Sequence, residues 1–320
     1  MVYNPSVDVV KAEKLASTAW ELLQRQIVLP RLVNNFNGNE FKGALGDTIK
    51  IPVPARTKAR RRALRPATEQ DRTIQMSSLE ESFFNVTITD DLYNAIPIED
   101  EVLTFDIDNV LTRVLAPQVR AVAIDVENLI AEEIENADYK PAFDLELDPA
   151  KPYNALVKAS TLLKRAYVPM DGRVLLVGSN VEASLLTSDQ FIRQSSSGDI
   201  ATSMLQTATL GTIAGYTAVS CDVIDPDTAY LFHKSAFAFS AVSPVIPRGA
   251  AFGQQVGSDA GVPLTWIHDY DFLVSRDRSL VHTYAGTNTF KDQPDENADN
   301  SLVAEGGLLR AVRLTQPAQS

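Results

Sequence analysis

Cysteine is almost missing: Cys221 is the only one in 320 residues, so the chain can form no intramolecular disulfide and no thiolate cluster for a metal. Histidine is nearly as scarce. His233, His268 and His282 stand far apart, and none has a second His or Cys at ligand spacing. Long apolar runs are also lacking, since stretches such as Val174 to Val177 and Ala121 to Ile124 fall far short of the roughly 20 residues that cross a bilayer. The first fifteen residues carry Asp8, Lys11, Glu13 and Lys14, where a secretory signal would hold an uncharged core. These absences predict cytoplasmic synthesis, no membrane partner, no metal and no cofactor.

Positive charge is in deficit as well. With 29 basic and 41 acidic residues the net charge is −12, and such a surface repels a phosphate backbone. That excludes a dedicated DNA-binding domain, but it suits a wall around packed nucleic acid that must be loaded and released. Patterns of enzyme chemistry are missing too. There is no Gly-x-Ser-x-Gly nucleophile elbow, and Gly211 and Gly215 lack both the Lys-Ser/Thr ending of a P-loop and the dinucleotide spacing. Asp106 with Asp108 and Asp225 with Asp227 read as caps or turns, His268-Asp269 with Asp271 as surface or core polarity, and Cys221 as packing in a strand. No catalytic residue is assigned.

What the chain does have is 45% hydrophobic content, enough for a sizeable core, and clear periodicity. Val7 to Arg25 has the helical period and predicts an amphipathic opening helix ending near Pro30; the Asn- and Gly-rich stretch Asn34 to Gly46 reads as a connection. Strict alternation at Ile49, Ile51 and Val53, and again at Phe84, Val86 and Ile88, predicts two sides of a long hairpin. Between them lies a polar stretch with Arg56, Lys58, Arg60, Arg61, Arg62 and Arg65. A two-stranded ribbon this polar is marginal in water, so it should project and be stabilised by another molecule.

Ile107 to Ala137 carries apolar residues at Leu111, Leu115, Val119, Val122, Val126 and Leu129 and predicts a rod of roughly 45 Å, with a kink or a break at Pro117. After a proline-containing loop at Pro141 to Pro152 come a helix at Tyr153 to Ala166, a buried strand at Arg173 to Val177 and a short helix at Val181 to Leu186, capped by Ser179 or Asn180. Further strands are expected at Thr217 to Cys221, Tyr230 to Phe232, Ala236 to Val242, Leu264 to Asp269, Phe272 to Arg276, Ser279 to Tyr284 and Leu308 to Leu314, with Lys291 to Asn300 as an acidic surface loop. The fold class is α+β.

Several of these segments, in order, resemble the major capsid proteins of tailed double-stranded DNA bacteriophages with the Hong Kong 97 fold, in the branch of the short-tailed Salmonella phage coat proteins. Gly46-Asp47-Thr48-Ile49-Lys50-Ile51-Pro52 looks like the strand entering that family's extended loop, and Ser82-Phe83-Phe84-Asn85-Val86-Thr87-Ile88 like the strand returning from it. Leu115-Ala116-Pro117 through Ile124-Asp125 resembles the spine helix, while Val168 through Gly178 and Gly211 through Tyr216 resemble parts of the axial domain. The resemblance implies an N-terminal arm over residues 1–40, an extended loop over 41–96, a peripheral domain with spine helix over 97–145, an axial domain over 146–234 and peripheral return strands over 235–320.

It further implies a virion shell of hexamers and pentamers of this chain, assembled in the host bacterial cytoplasm and enclosing double-stranded DNA without sequence-specific binding. A separate scaffolding protein and a portal would be partners, with a decoration protein as an optional one. In place of the inserted domain of the Salmonella-type coats, Pro244 to Pro263 would be a short loop. The basic cluster at Arg56, Lys58, Arg60, Arg61, Arg62 and Arg65 is expected to meet acidic residues of a neighbouring copy, such as Asp90, Asp91, Glu99, Asp100 and Glu101, or Glu132 and Glu133. Two rivals remain: an encapsulin-like compartment shell with the same fold, and an α/β enzyme with an unrecognised site.

Overall fold

The computed structural model describes residues 27–37, 48–53, 64, 73–74, 76, 82–99, 110–188, 212–213, 215–257, 262–273, 276–294 and 301–317. The opening helix expected at 7–25 and the basic cluster at 56–65 lie outside them. A single helical turn, α1 (Leu29–Leu32), has Pro30 in its first turn, where a missing N–H costs nothing. A carboxylate meets its leading amides: Val28 N and Leu29 N donate to Glu127 Oε1 at 2.5 and 3.3 Å. The asparagine-rich stretch expected as a connection then forms strand β1 (Asn34–Asn37), held by parallel pairing with residues 238–241.

The two alternating runs form β2 (Thr48–Val53) and β3 (Ser82–Thr87), antiparallel, with Thr48 opposite Thr87 and Val53 opposite Ser82. They belong to neither larger sheet. Strand β4 (Asp90–Glu99) follows directly; nothing in the sequence reading anticipated it, because Asn94 breaks the alternation of Leu92, Ile96 and Ile98. The rod is one helix, α2 (Val110–Glu135), with Pro117 inside it and no break. Pro117 is exposed, so its ring crowds no packed neighbour, and the buried stripe Leu115, Val119, Val122, Val126, Ile130 and Ile134 continues past it.

A 3-10 turn at Pro141–Phe143 leads to β5 (Asp144–Glu146), inside the stretch expected to be loop, and then to α3 (Pro152–Arg165). Strand β6 (Arg173–Val177) is buried throughout, as its continuous apolar run predicts. Helix α4 (Ser179–Thr187) begins two residues earlier than expected; its N-cap is Gly178, with no side-chain cap from Ser179 or Asn180. Next come β7 (Thr212–Ile213), β8 (Tyr216–Ser220), β9 (Thr228–His233) and β10 (Phe237–Val242). In the segment expected as a short loop, β11 (Phe252–Val256) is a full strand.

Strand β12 (Leu264–Asp271) is followed by a turn at Phe272 and Leu273, where a strand was expected over 272–276, and β13 (Arg276–Thr289) extends the strand expected at 279–284 in both directions. A short helix, α5 (Ser301–Ala304), precedes the last strand, β14 (Ala311–Thr315). In the acidic stretch 291–300, Asp292 is buried and not on a surface loop.

One six-stranded sheet runs β1-β10-β13-β12-β11, with β4 on β13 as well; the other runs β5-β14-β9-β6-β8-β7. The last strand, grouped by the sequence reading with the late strands of the first sheet, therefore lies in the second, between β5 and β9. Alternation along β6 divides the second sheet's burial. Leu175 and Val177 pack with α3 and α4, while Val174 and Leu176 join a core shared with α2 and the first sheet. Tyr230, Phe232 and Phe237 carry that core across the junction, with ring centroids of Phe232 and Phe237 5.3 Å apart. Helix α2 is fixed to the first sheet by a polar contact too. Fully buried Gln118 donates from Nε2 to the carbonyls of Asn94 (3.0 Å) and Ser279 (2.9 Å), and accepts from Ser279 Oγ (2.6 Å), which accepts from Trp266 Nε1 (3.0 Å).

Candidate functional site

The groups of interest are those the single chain leaves without cover. The hairpin is one. Its strand β3 presents Phe83 largely to solvent, yet its root is tied down. Gly286 of β13 lies so close to Thr87 that a Cβ there would stand 2.1 Å from the Thr87 carbonyl oxygen, which is why the position carries no side chain. Asn288 Nδ2 donates to the Asn85 carbonyl at 2.6 Å, and Thr89 N to that of Ala285 at 3.1 Å. The Phe84 ring meets Phe290 at 5.1 Å, and the Arg310 guanidinium lies 3.7 Å from the Phe290 centroid. Arg310 in turn forms a fork on buried Asp292 (2.9 and 3.1 Å) and donates to Ser235 Oγ (2.8 Å). Hairpin, first sheet and the lead into β14 are thus joined at one point.

The acidic residues expected to receive the basic cluster are not one cluster. Asp90 and Asp91 open β4 and Glu99 closes it, at the far end of a ten-residue strand; Asp100, Glu101 and all six basic residues lie outside the described residues. Asp90 accepts from Thr89 Oγ1 (2.6 Å), and Asp91 stands 3.4 Å from His282 Nδ1. Glu133 is engaged within the chain, accepting from Thr287 and Thr289 of β13, whereas Glu132 is exposed. Of the named acids, Asp90, Asp91 and Glu132 are exposed, Asp91 with His282 beside it.

A second uncovered surface escaped the sequence reading. The outer stripe of α3 holds Asn154, Val157, Lys158, Thr161 and Lys164, all exposed, and the chain leaves the helix through Tyr167 with φ of 59°. Backbone bonds from Val168 N to the Leu163 carbonyl and from Tyr167 N to that of Lys164 make this a helix ending of the Schellman kind. The left-handed residue of such an ending is usually glycine, and a side-chain-bearing residue there costs about 1–2 kcal/mol. Here it is a tyrosine, 76% exposed, followed by Met170 at 61%. Arg173, buried at the start of β6, holds this loop from beneath: it donates to the carbonyls of Pro169 and Val168, both at 2.7 Å, and to Tyr216 Oη at 3.0 Å. Tyr216 Oη donates to Ser160 Oγ of α3. The signal available in sequence was Tyr-Val-Pro-Met directly after a helix, where glycine would be ordinary.

Burial pushes the Cys221 thiol up, which leaves it a poor nucleophile, and pushes the Tyr139 hydroxyl well above its ordinary value. Burial also lowers His233, whose Nδ1 lies 2.8 Å from Ser235 Oγ. Among the described residues, no three His, Cys, Asp or Glu side chains are grouped to hold a metal ion. No helix among them is long and apolar enough to cross a membrane.

A long helix laid across one sheet, a second sheet flanked by two helices, and a hairpin rooted between them are the parts of a Hong Kong 97 type shell subunit. Solved phage structures share this arrangement over nearly the whole chain. A structure from Mycobacterium phage Che8 matches with a TM-score of 0.62 at 16% identity, covering 90% of this chain and 91% of that one. The capsid of Cyanophage P-SCSP1u matches at 0.60 and 12% identity, covering 90% and 87%. A virus-like particle from Pyrococcus furiosus matches at 0.51 and 12% identity, covering 94% and 98%. The phage capsid protein family matches residues 89–286, more than half of the sequence, and the chain belongs to that family. It is a structural capsid protein, a major subunit of a phage head shell. No curated protein matches the sequence.

Proposed function

We propose that this chain forms the icosahedral head of a tailed phage by occupying both six-fold and five-fold rings around double-stranded DNA, in the host cytoplasm, with a separate scaffolding protein and a portal as partners. The observation that carries this reading is the β2–β3 ribbon. Among the described residues it is a sheet of two strands with Phe83 exposed, and a two-stranded ribbon is marginal in water unless further surface covers it. In that arrangement residues 1–40 are an arm and 41–96 the loop that reaches a neighbour, except for β1 and β4, which pair within the first sheet, and 146–234 with β14 are the axial unit pointing to a ring centre. The basic cluster at Arg56 to Arg65 would set register against acids of a neighbouring copy, with Asp90 and Glu132 among the exposed acids open to it. Exposed pairs contribute only ~0–1 kcal/mol each, so they would tune assembly more than stability.

The test is expression of the chain with and without its scaffolding partner, followed by sedimentation and negative-stain microscopy. Closed shells or free rings are expected. A small, stable oligomer under both conditions would overturn the reading, and shells that retain a cargo enzyme in place of portal and tail proteins would favour a compartment.

A further inference from the structure

We infer that Arg310 is a positioning residue for the hairpin: its guanidinium ties the end of the second sheet, at His233 and Ser235, to the hairpin root, at Phe84, so that hairpin direction and second-sheet placement shift together. This role rests on the shell reading above, in which the hairpin reaches a neighbour and the second sheet points to a ring centre. It adds the residue through which those two parts of one subunit are linked.

The backbone of Arg310 belongs to the second sheet. Its carbonyl accepts from His233 N at 2.9 Å, and the next residue, Ala311, opens β14 opposite Phe232 of β9. Its side chain reaches the other way. The fork on Asp292, whose side chain is only 4% exposed, fixes the plane of the guanidinium, because a bidentate pair leaves it little freedom to turn. That guanidinium lies over the ring of Phe290, whose backbone N donates to the Ala236 carbonyl at 2.8 Å, next to the pairing of Phe237 with Thr289. The same ring touches Phe84 of β3.

The polar half of the relay has a direction. His233 Nδ1 accepts from Ser235 N at 3.2 Å, so this nitrogen carries no proton. Arg310 has only donors, so Ser235 Oγ accepts from its Nη1 and gives its single proton to His233 Nδ1, 2.8 Å away. The crossings that follow β9 and β13, one from the second sheet to the first and one back again, thus meet on one planar cation. Neutralising Asp292 alone would need neither an aromatic ring nor a hydroxyl, and a lysine would serve. From His233 through Ser235, Arg310 and Phe290 to Phe84 the contacts are continuous, which is what mechanical linkage between two parts of a chain requires.

Hydrogen exchange of the Thr89 amide, which bonds the Ala285 carbonyl at the hairpin root, reads this linkage in the unassembled subunit. Ser235→Ala removes an acceptor of Arg310 at the exit from the second sheet and should speed that exchange roughly 2- to 10-fold. Phe290→Leu keeps apolar bulk and the Asp292 fork but takes away the ring, and in that background Ser235→Ala should add nothing further. The same holds in Arg310→Lys, which keeps a charge beside Asp292 but loses fork and plane. Independent structural contributions would instead add. Unchanged Thr89 exchange in Ser235→Ala, an equal increment in the Phe290→Leu background, or full coupling retained by Arg310→Lys would each overturn the inference. In shells, Phe290→Leu should broaden the spread of particle diameters seen by negative-stain microscopy, and a spread equal to that of the wild type would also overturn it. If the wild-type chain forms no shells while the exchange linkage holds, the shell reading alone fails.

Discussion

Replacing Gly286 with alanine should free the hairpin root without unfolding the body. The new Cβ would stand 2.1 Å from Thr87 O, 2.8 Å from Ile88 Cα and 2.9 Å from Thr87 C, all backbone atoms that cannot rotate away. Ordinary van der Waals contact begins near 3.4 Å, so the two segments must part by about 1 Å. On the other side, β13 is locked to β10, with Gly286 opposite Ser240, so the hairpin root has to move. Overpacking of this kind costs about 1–3 kcal/mol. The cost falls on the Thr89 N to Ala285 O bond, the Asn288 to Asn85 bond and the Phe84 to Phe290 contact. Local opening should therefore speed hydrogen exchange at the Thr89 amide roughly 5- to 150-fold, with core amides of β6 and β9 little changed. Shell yield should fall as the loop loses its fixed direction. Gly249, with open space around it, supplies the control, since alanine there should change neither exchange nor assembly. Unaltered exchange at residues 85–89 together with normal shells in the Gly286→Ala protein would refute the account of the root.

Three further outcomes are expected. Gln118→Leu removes the partner of two buried carbonyls and of the Ser279 hydroxyl, at about 1–3 kcal/mol for each group left unsatisfied, and should lower the urea midpoint clearly; an unchanged midpoint would count against that anchor. His233 is held below its ordinary value of 6.5, first by burial and then by Arg310 and Arg173, against the opposing effect of Asp171. The unfolded chain then binds more protons, so this stability is present above the unfolded value and is lost as pH falls through the folded one. His233→Asn should accordingly lose less melting temperature between pH 7.5 and 5 than the wild type, and equal losses would dismiss the argument. Reversal of Arg60, Arg61 and Arg62 to glutamate should slow assembly, followed by light scattering, with the subunit still folded; normal kinetics would show that the cluster serves only solubility.

Local periodicity determined much of this protein. The alternation at 48–53 and 82–87, the helical stripe of α2 and the apolar run of β6 each name their element, because burial on one face or both leaves a period in the residues. The order of those segments also placed the chain among shell subunits before any geometry was known. Some elements follow no such rule. Strands β1, β5 and β11 are short, and β4 carries Asn94 on the side that meets α2; they are strands because a neighbouring edge pairs with them, which is a property of the partner. Pro117 breaks no helix, because packing of Leu115, Val119 and Val122 outweighs one lost hydrogen bond on an exposed face.

The surfaces divide in the same way. Sequence marks charge, so the basic cluster and the acids were legible, but only tertiary structure shows that Glu133 is engaged by β13 and that Asp91 faces His282. It also shows that Asp90 and Glu99 lie at opposite ends of a strand. The left-handed Tyr167 and its buried support from Arg173 were invisible in the residues alone. A backbone angle is decided by the contacts around a turn, and those contacts come from β6, β8 and α3, segments brought together only when the second sheet closes.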